Sequence, residues 1–282
     1  MFRIPIKPRP NWQRKAADFG FKFHTMHGEP YWDESAYYQF TLAQIENDIE
    51  QPTADIHQMC LAVVERVVHD DALFERFQIP QAFWQPIADS WKNRDPSLYS
   101  RLDFSYDGSG PANNADTPTS LYESGFWQWL WLEEQVNKGL IHKGADQFNS
   151  LQEKLVARLG YIAKHYQLDF MHFACCKDTD EDRGTVQYLQ DCAREAGIAD
   201  YFVYMEDIGL SESGAFTDHD DQIIETLFKL YPWEFMQREE FSQHIGPSGT
   251  HWIEPIWKSI LSNKALMPML WKMFPEHPNL LA

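Results

Sequence analysis

The sequence lacks the cysteine patterns that mark a redox or metal-binding framework. Its 282 residues include four cysteines, and no two of them are spaced as Cys-x-x-Cys. The neighbours Cys175 and Cys176 cannot easily bridge to each other. Reduced thiols in a cytoplasmic protein are therefore expected. The sequence also lacks the apolar core of a signal peptide near Met1, and no apolar run approaches the roughly 20 residues that span a bilayer. We expect no membrane partner.

Positive charge is scarce as well. The chain has 24 Lys and Arg residues against 42 Asp and Glu residues, a net charge of −18, and a pI of about 4.9. Affinity for nucleic acid depends on clustered Lys and Arg, so this composition argues against a nucleic-acid partner. A nucleotide needs only two or three local cations, so this acidic composition does not exclude nucleotide binding. The motifs of serine hydrolases, P-loop enzymes and Rossmann dehydrogenases are absent from the sequence.

The most informative segment that is present is a predicted strand, Arg101–Tyr106. Strand alternation places Arg101, Asp103 and Ser105 on one face and apolar or aromatic side chains on the other. Residues 113–120 follow, with amide, carboxylate and hydroxyl oxygens close together. Oxygen ligands beside a guanidinium suit a magnesium–nucleotide site. An edge strand that ends in a polar turn is the alternative.

Helical patterns dominate the first part of the chain. Two helices are predicted over residues 35–69, with a break at Pro52 and Thr53 as the N-cap of the second. His57 lies off the apolar face and is expected to be exposed. Six residues recur at helical spacing and should form a buried stripe: Ile56, Met59, Cys60, Val63, Val64 and Val67. Further helices are predicted over residues 121–134, 147–166, 222–241 and 253–274.

A strand–helix–strand rhythm follows over residues 168–174, 182–196 and 201–205, with Gly197 at the helix C-cap. This pattern predicts a βαβ unit and hence a parallel pair of strands. The acidic loop at 178–182 would then lie at the carboxyl end of the first strand, where open α/β sheets bind ligands. A solvated helix start would account for the same acids.

One lysine interrupts a late apolar segment. Lys264 is the only cation between Ile260 and Leu270. Such a lysine either extends from a helix end to solvent or is directed at a phosphate.

Several longer motifs are specific enough to indicate a family. They lie at residues 23–26, 28–32, 96–101, 114–120, 147–150, 228–233, 262–265 and 277–281. On these motifs, and over essentially its whole length, the chain resembles the synthetase domain of the glutathionylspermidine synthase family. The resemblance is to its stand-alone bacterial members.

The resemblance implies an α/β (α+β) fold of the ATP-grasp type, with a permuted motif order and a βαβ unit of the pre-ATP-grasp kind. The implied activity is that of an ATP-dependent carbon–nitrogen ligase, which forms an amide through an acyl phosphate. ATP and Mg²⁺ are the implied cofactors. The implied partners are a small-molecule or peptide carboxylate and an amine, with glutathione and a polyamine the best-known pair of the family.

The family's functional residues map onto six positions of this sequence. By similarity, Arg101 would bind the nucleotide and stabilise the transferring phosphate, while Asp103 and Asn114 would hold magnesium. Thr117 and Thr119 would lie near the acid substrate. Lys264 would contact the nucleotide.

The resemblance also implies three regions. Residues 1–165 would be an N-terminal helical region with the metal- and phosphate-binding strand, 166–250 the βαβ unit, and 251–282 the start of the nucleotide-binding region, which continues further in the family. Segment 108–112 is about four residues shorter than in the family and lacks its metal-binding glutamate. The favoured explanation for this shorter segment is that a flexible part of the family's chain is omitted from the sequence. The alternative is a catalytically impaired relative that binds a nucleotide or a peptide and acts as a regulatory protein.

Overall fold

The computed structural model describes residues 1–106, 111–116 and 120–280. Its strands are β1 (Phe2–Pro5), β2 (Thr25–Met26), β3 (Glu29–Pro30), β4 (Ala36–Gln39), β5 (Arg101–Tyr106), β6 (Pro111–Asp116), β7 (Phe170–Cys175), β8 (Ala199–Tyr204), β9 (Gly209–Leu210), β10 (Phe216–Thr217), β11 (Thr226–Leu230) and β12 (His251–Ile253). Its α-helices are α1 (Trp12–Asp18), α2 (Leu42–Gln44), α3 (Gln51–Val67), α4 (Asp71–Arg76), α5 (Trp84–Asn93), α6 (Gln128–Asn137), α7 (Leu151–Tyr166), α8 (Asp180–Glu195), α9 (Trp233–Met236) and α10 (Leu266–Met273). Two π-helical segments, Ile45–Glu50 and Glu123–Trp127, precede α3 and α6.

A four-stranded parallel sheet in the order β12–β11–β7–β8 lies at the centre of the molecule. The crossover from β7 to β8 is made by α8, so the predicted βαβ unit is confirmed. Gly197, at φ 81°, follows the end of α8 as predicted. The mixed α/β class is confirmed with it. Within the described residues, no helix is long and apolar enough to cross a membrane.

The sheet is covered on both faces, because alternate residues of its strands enter two different cores. Met171 and Phe173 of β7 pack with α7 and α8, whereas Ala174 packs with α3 and α10. In β11, Phe228 joins the first core and Leu227 the second. Burial of both faces explains why all five residues of β11 are buried, as is typical of a strand inside a parallel sheet.

The helix around Pro52 differs from its prediction. The backbone is continuously helical from α2 through the first π-helical segment into α3, so Pro52 does not break it. Proline is tolerated there because it is the second residue of α3, directly after a π-helical segment in which the α-type hydrogen-bond pattern is already interrupted. Thr53 is not the N-cap, since its hydroxyl donates to the Ile49 carbonyl at 2.6 Å. The buried stripe of α3 is confirmed, and β4 occupies the start of the region predicted as helix.

The helix predicted over residues 222–241 is wrong in its first half. That half contains β11, and the remainder contains only α9 and a short 3₁₀ turn, Glu240–His244. A short apolar run that is buried on all sides has no period that distinguishes strand from helix. Pro232 then forms the N-cap of α9.

A buried histidine on β7 should make the stability of the fold depend on pH. His172 is fully buried, with its Nε2 3.2 Å from Oδ2 of Asp218. Burial lowers the pKa of His172 below its ordinary value of 6.5. The unfolded chain therefore takes up a proton first, and the free energy of unfolding should fall as the pH drops below about 6.5. Chemical denaturation at a series of pH values between 7 and 5 measures this fall.

His172→Asn should be less stable at pH 7 and should lose less stability than the wild type between pH 7 and 5. The stability of His172→Asn should still depend on pH to some extent, because burial also lowers the pKa of His57 and His251. The control is His219→Asn, at an exposed histidine that follows Asp218 in the sequence and lies 3.4 Å from Asp220 instead. Equal pH slopes in the wild type and His172→Asn would contradict the prediction.

Candidate functional site

Charged side chains gather beyond the carboxyl ends of the parallel strands, where α/β sheets bind their ligands. After β7, the Lys177 ammonium lies 2.5 Å from Asp207, and the Lys177 backbone N–H donates to Glu206 at 3.0 Å. In the acidic loop, Thr179 caps α8 by accepting from the backbone N–H of Asp182 at 3.0 Å. The loop is therefore a capped helix start that follows the carboxyl end of β7. Ligand binding by its acids stays a prediction.

Strands β5 and β6 form a separate antiparallel hairpin. Nε of Arg101 lies 3.0 Å from Oδ1 of Asp103, and both side chains remain partly exposed. The alternation predicted for β5 is confirmed, because Asp103 is exposed while Phe104 packs against the core around α3. Asp103 lies directly opposite Asn114 in the register, and residues opposite each other share a face of the pair.

The hairpin begins beside the end of β12, because Glu254, the residue after that strand, accepts a hydrogen bond from the backbone N–H of Tyr99. Tyr99, two residues before Arg101, stacks on Phe228 of β11 with ring centroids 6.3 Å apart. Burial raises the pKa of Tyr99, the Glu254 and Asp182 carboxylates raise it further, and Arg101 opposes them. Arg101, Glu254 and Asp182 therefore all lie near Tyr99.

A second cluster joins three distant segments. The Tyr31 hydroxyl lies 3.1 Å from Oγ of Ser120 and 3.5 Å from Glu181 at the start of α8. Beside them, Glu123 is only 4% exposed, and its carboxylate interacts with the Tyr31 hydroxyl. Burial raises the pKa of Glu123, and the Glu123 carboxylate in turn helps to raise the pKa of Tyr31. Glu123 and Glu181 thus bring two carboxylates to the same tyrosine hydroxyl.

A groove of about 1570 Å³ runs beside the hairpin, between α3, α5, α7 and the start of β5. It is larger than the 300–1,000 Å³ of ordinary small-molecule pockets. Arg101 lines it, as do His57, Arg158 and Tyr161. His57 is half-buried instead of exposed as predicted. The Arg158 guanidinium lies 4.7 Å from the centre of the Tyr161 ring and donates through Nε to the Ser97 carbonyl at 2.7 Å.

Comparison with known proteins identifies the family. A family model described as the glutathionylspermidine synthase preATP-grasp domain matches residues 3–282. The chain belongs to this family. A relative from Haemophilus influenzae, provisionally named an acid–amine ligase, is 40% identical over 97% of this chain and 70% of its own length.

More distant relatives are longer proteins. The bifunctional glutathionylspermidine synthetase/amidase of Escherichia coli is 27% identical over 88% of this chain and 44% of its own length. The trypanothione synthetase of Crithidia fasciculata is 25% identical over 80% of this chain and 38% of its own length. The chain therefore spans less than half the length of these two proteins.

The structure brings some of the residues predicted from the glutathionylspermidine synthase family together. Arg101 and Asp103 pair, and Asn114 lies opposite Asp103. Lys264 is exposed just before α10 and forms no ion pair with another described residue. Thr117 and Thr119 lie outside the described residues. Tyr31 and Glu123 were not predicted, although Tyr31 lies in the family motif at 28–32 and Glu123 lies three residues after the motif at 114–120.

The fit of a magnesium ion rests on the register of the hairpin. Within the described segments, no three His, Cys, Asp or Glu side chains gather closely enough to hold a metal ion. Asp103 and Asn114 nevertheless supply residue types with oxygen donors at facing positions of one pair. Magnesium is commonly bound through one or two carboxylates together with substrate phosphates and water. By residue type and backbone register, the two positions are compatible with this ion.

The thiol at the end of β7 should be unreactive. Burial raises the pKa of Cys176 to about 11, helped by nearby carboxylates of which Glu206 acts most strongly. The thiolate is the reactive form, so iodoacetamide at pH 7.5 should alkylate Cys176 about tenfold or more slowly than a free thiol. Mass spectrometry of the peptide that contains Cys176 gives the rate. Glu206→Gln should increase the alkylation rate of Cys176, whereas the control Glu212→Gln, at an exposed position, should leave this rate unchanged. A wild-type alkylation rate equal to that of N-acetylcysteine would refute the prediction.

Proposed function

We propose that this chain carries out ATP-dependent ligation of a carboxylic acid to an amine, through an acyl phosphate, on a fold of the permuted ATP-grasp type. The observation that carries the proposal is the position of the Arg101–Asp103 pair. This pair lies on a hairpin that starts beside the end of β12 in the parallel sheet, in a chain of the glutathionylspermidine synthase family. The relatives' names, ligase and synthetase, support the same reaction class.

The chemistry has two steps. An oxygen of the acid attacks the γ-phosphorus of ATP and ADP leaves, which forms the acyl phosphate. The amine nitrogen then attacks the acyl carbon, inorganic phosphate leaves, and the nitrogen loses its proton. Phosphoryl transfer depends mainly on positioning and on neutralising charge. Arg101 would neutralise charge on the transferred group, and Lys264 would contact the nucleotide. Asp103 and Asn114 would hold magnesium, which would neutralise phosphate oxygens.

The surroundings of α8 support a cationic second substrate. Glu181 acts on the pKa of both Glu123 and Asp182, so three carboxylates lie near one another. Glu123 is buried, with the Tyr31 hydroxyl as a side-chain partner. A protonated amine would supply the missing charge. Glutathione and a polyamine are the pair that we propose, because two relatives are named for glutathionylspermidine and trypanothione. Thr117 and Thr119 would lie near the acid.

The domain division proposed with this function follows the family: residues 1–165, 166–250 and 251–282. The second candidate function is that of an impaired relative that binds a nucleotide or a peptide without turnover. The short segment 108–112, which lacks the family's glutamate, favours it. One assay separates the two functions.

The assay incubates the purified full-length protein with ATP, Mg²⁺ and a panel of acid and amine pairs. We expect ADP release and an amide of the summed mass with at least one pair. Arg101→Ala should lower kcat by about 10²- to 10³-fold, since it removes charge stabilisation from the transition state. Arg76→Ala, at an exposed arginine of α4, is the control. ATP binding without ADP release for any pair would select the binding function, and no ATP binding would reject both the ligase and a nucleotide-binding relative.

Glu123→Gln tests the amine-binding region. The substitution keeps the shape of the side chain and removes the charge, so we expect the KM for the amine to rise about tenfold while the KM for ATP stays within about twofold. Steady-state kinetics with each substrate varied in turn measure both constants. Glu212→Gln is the exposed control. An unchanged KM for the amine would mean that Glu123 does not contact it.

A further inference from the structure

A charged pair after β12 holds the backbone immediately before the hairpin. The Glu254 carboxylate accepts hydrogen bonds from the backbone N–H groups of Leu98, at 3.0 Å, and Tyr99, at 2.9 Å. The Lys258 ammonium donates to the Tyr99 carbonyl at 2.5 Å and to Glu254 at 2.9 Å. Both side chains are nearly buried, with exposed fractions of 13% and 10%. We call Glu254 and Lys258 the clamp.

The clamp acts at the base of β5, where the position of the hairpin is set. β5 pairs with β6 in a two-stranded sheet of its own, so no backbone ladder among the described strands joins it to the parallel sheet. Pro96 and Leu98 are buried, and Arg101 is the second residue after Tyr99. The hydrogen bonds of the clamp therefore connect the start of the hairpin to the end of β12.

The charges of the clamp have no other evident use. Buried charges are expensive unless they are paired, and an apolar pair would fill the same volume at less cost. Removing the Glu254 charge would leave Lys258 buried without its carboxylate and would weaken both bonds to the backbone at residues 98 and 99. A second buried lysine, Lys229, lies close enough for Glu254 to influence its pKa, which burial lowers to about 7. Glu254 is thus the carboxylate that faces two buried lysines.

We propose that Glu254 and Lys258 are positioning residues for Arg101. They fix the backbone two residues before it and so determine where its guanidinium lies relative to the carboxyl edge of the sheet. The effect of the clamp on catalysis rests on the proposed function of Arg101. Its effect on the position of the Arg101 side chain does not. A pair that only stabilises the fold would leave Arg101 where it is.

The positional consequence is tested by NMR on the full-length protein. In Glu254→Gln, the Nε–H signal of Arg101 should shift, and the amides of Leu98 and Tyr99 should exchange with solvent at least tenfold faster. Glu134→Gln is the matched control, because Glu134 also pairs with lysines and an arginine but in a different cluster. An unchanged Arg101 signal in folded Glu254→Gln overturns the proposal.

The catalytic consequence is tested by a double-mutant cycle. Glu254→Gln should lower kcat at least tenfold and change the KM for ATP less than threefold, since it displaces a group that acts in the transition state. In the Arg101→Ala background the same substitution should cost less than twofold. Lys258→Arg should retain activity, and Lys258→Met should lose it. Equal losses in the two backgrounds refute the proposal.

The two experiments fail separately. If the wild type releases no ADP with any acid and amine pair, the proposed function fails, and the NMR signal of Arg101 still decides whether the clamp positions it. If the wild type is active and the Arg101 signal does not respond to Glu254→Gln, the proposed function stands and the clamp proposal falls.

Discussion

Burial of the parallel sheet on both faces is the constraint on which the rest of the structure depends. Helices α7 and α8 cover one face, and α3 and α10 cover the other, so the inner strands of the sheet are buried. Polar backbone and side-chain groups need partners wherever they are buried, as His172 has in Asp218. Exposed charges are found beyond the carboxyl ends of the strands, where Lys177 pairs with Asp207 after β7 and the base of the hairpin is held beside the end of β12.

Local patterns predicted much of this fold, and they failed where burial removed the pattern. The stripe of α3 and the alternation of β5 were predictable because each element has one buried and one exposed side. β11 was not, because it is buried on both faces and its residues carry no period. Pro52 was misjudged for a different reason. Proline breaks a helix when it lies in a regular α-helical interior. Here a π-helical segment comes before Pro52, which is the second residue of α3.

Local sequence patterns likewise predicted some residues of the candidate site and missed others. Arg101, Asp103 and Asn114 lie within 14 residues of sequence, so a predicted strand and a family motif were enough to find them. Tyr31, Ser120 and Glu181 are separated by up to 150 residues, and only the packed fold brings them together. Glu254 is a similar case, since its partners at residues 98 and 99 lie more than 150 positions earlier. No local pattern encodes such contacts.

The distribution of charge matters more for the proposed ligation than the net charge of −18. A ligase of this kind must bind a polyanionic nucleotide and a cationic amine close together, and one uniform surface would repel one of them. Here the cation Arg101 is on the hairpin, and Glu123, Glu181 and Asp182 are around the start of α8. Arg101 and Asp182 act on the pKa of Tyr99 in opposite directions, so groups of both signs lie near this tyrosine. The proposed ligation uses both signs of charge, with Arg101 for the nucleotide and the carboxylates around the start of α8 for the amine.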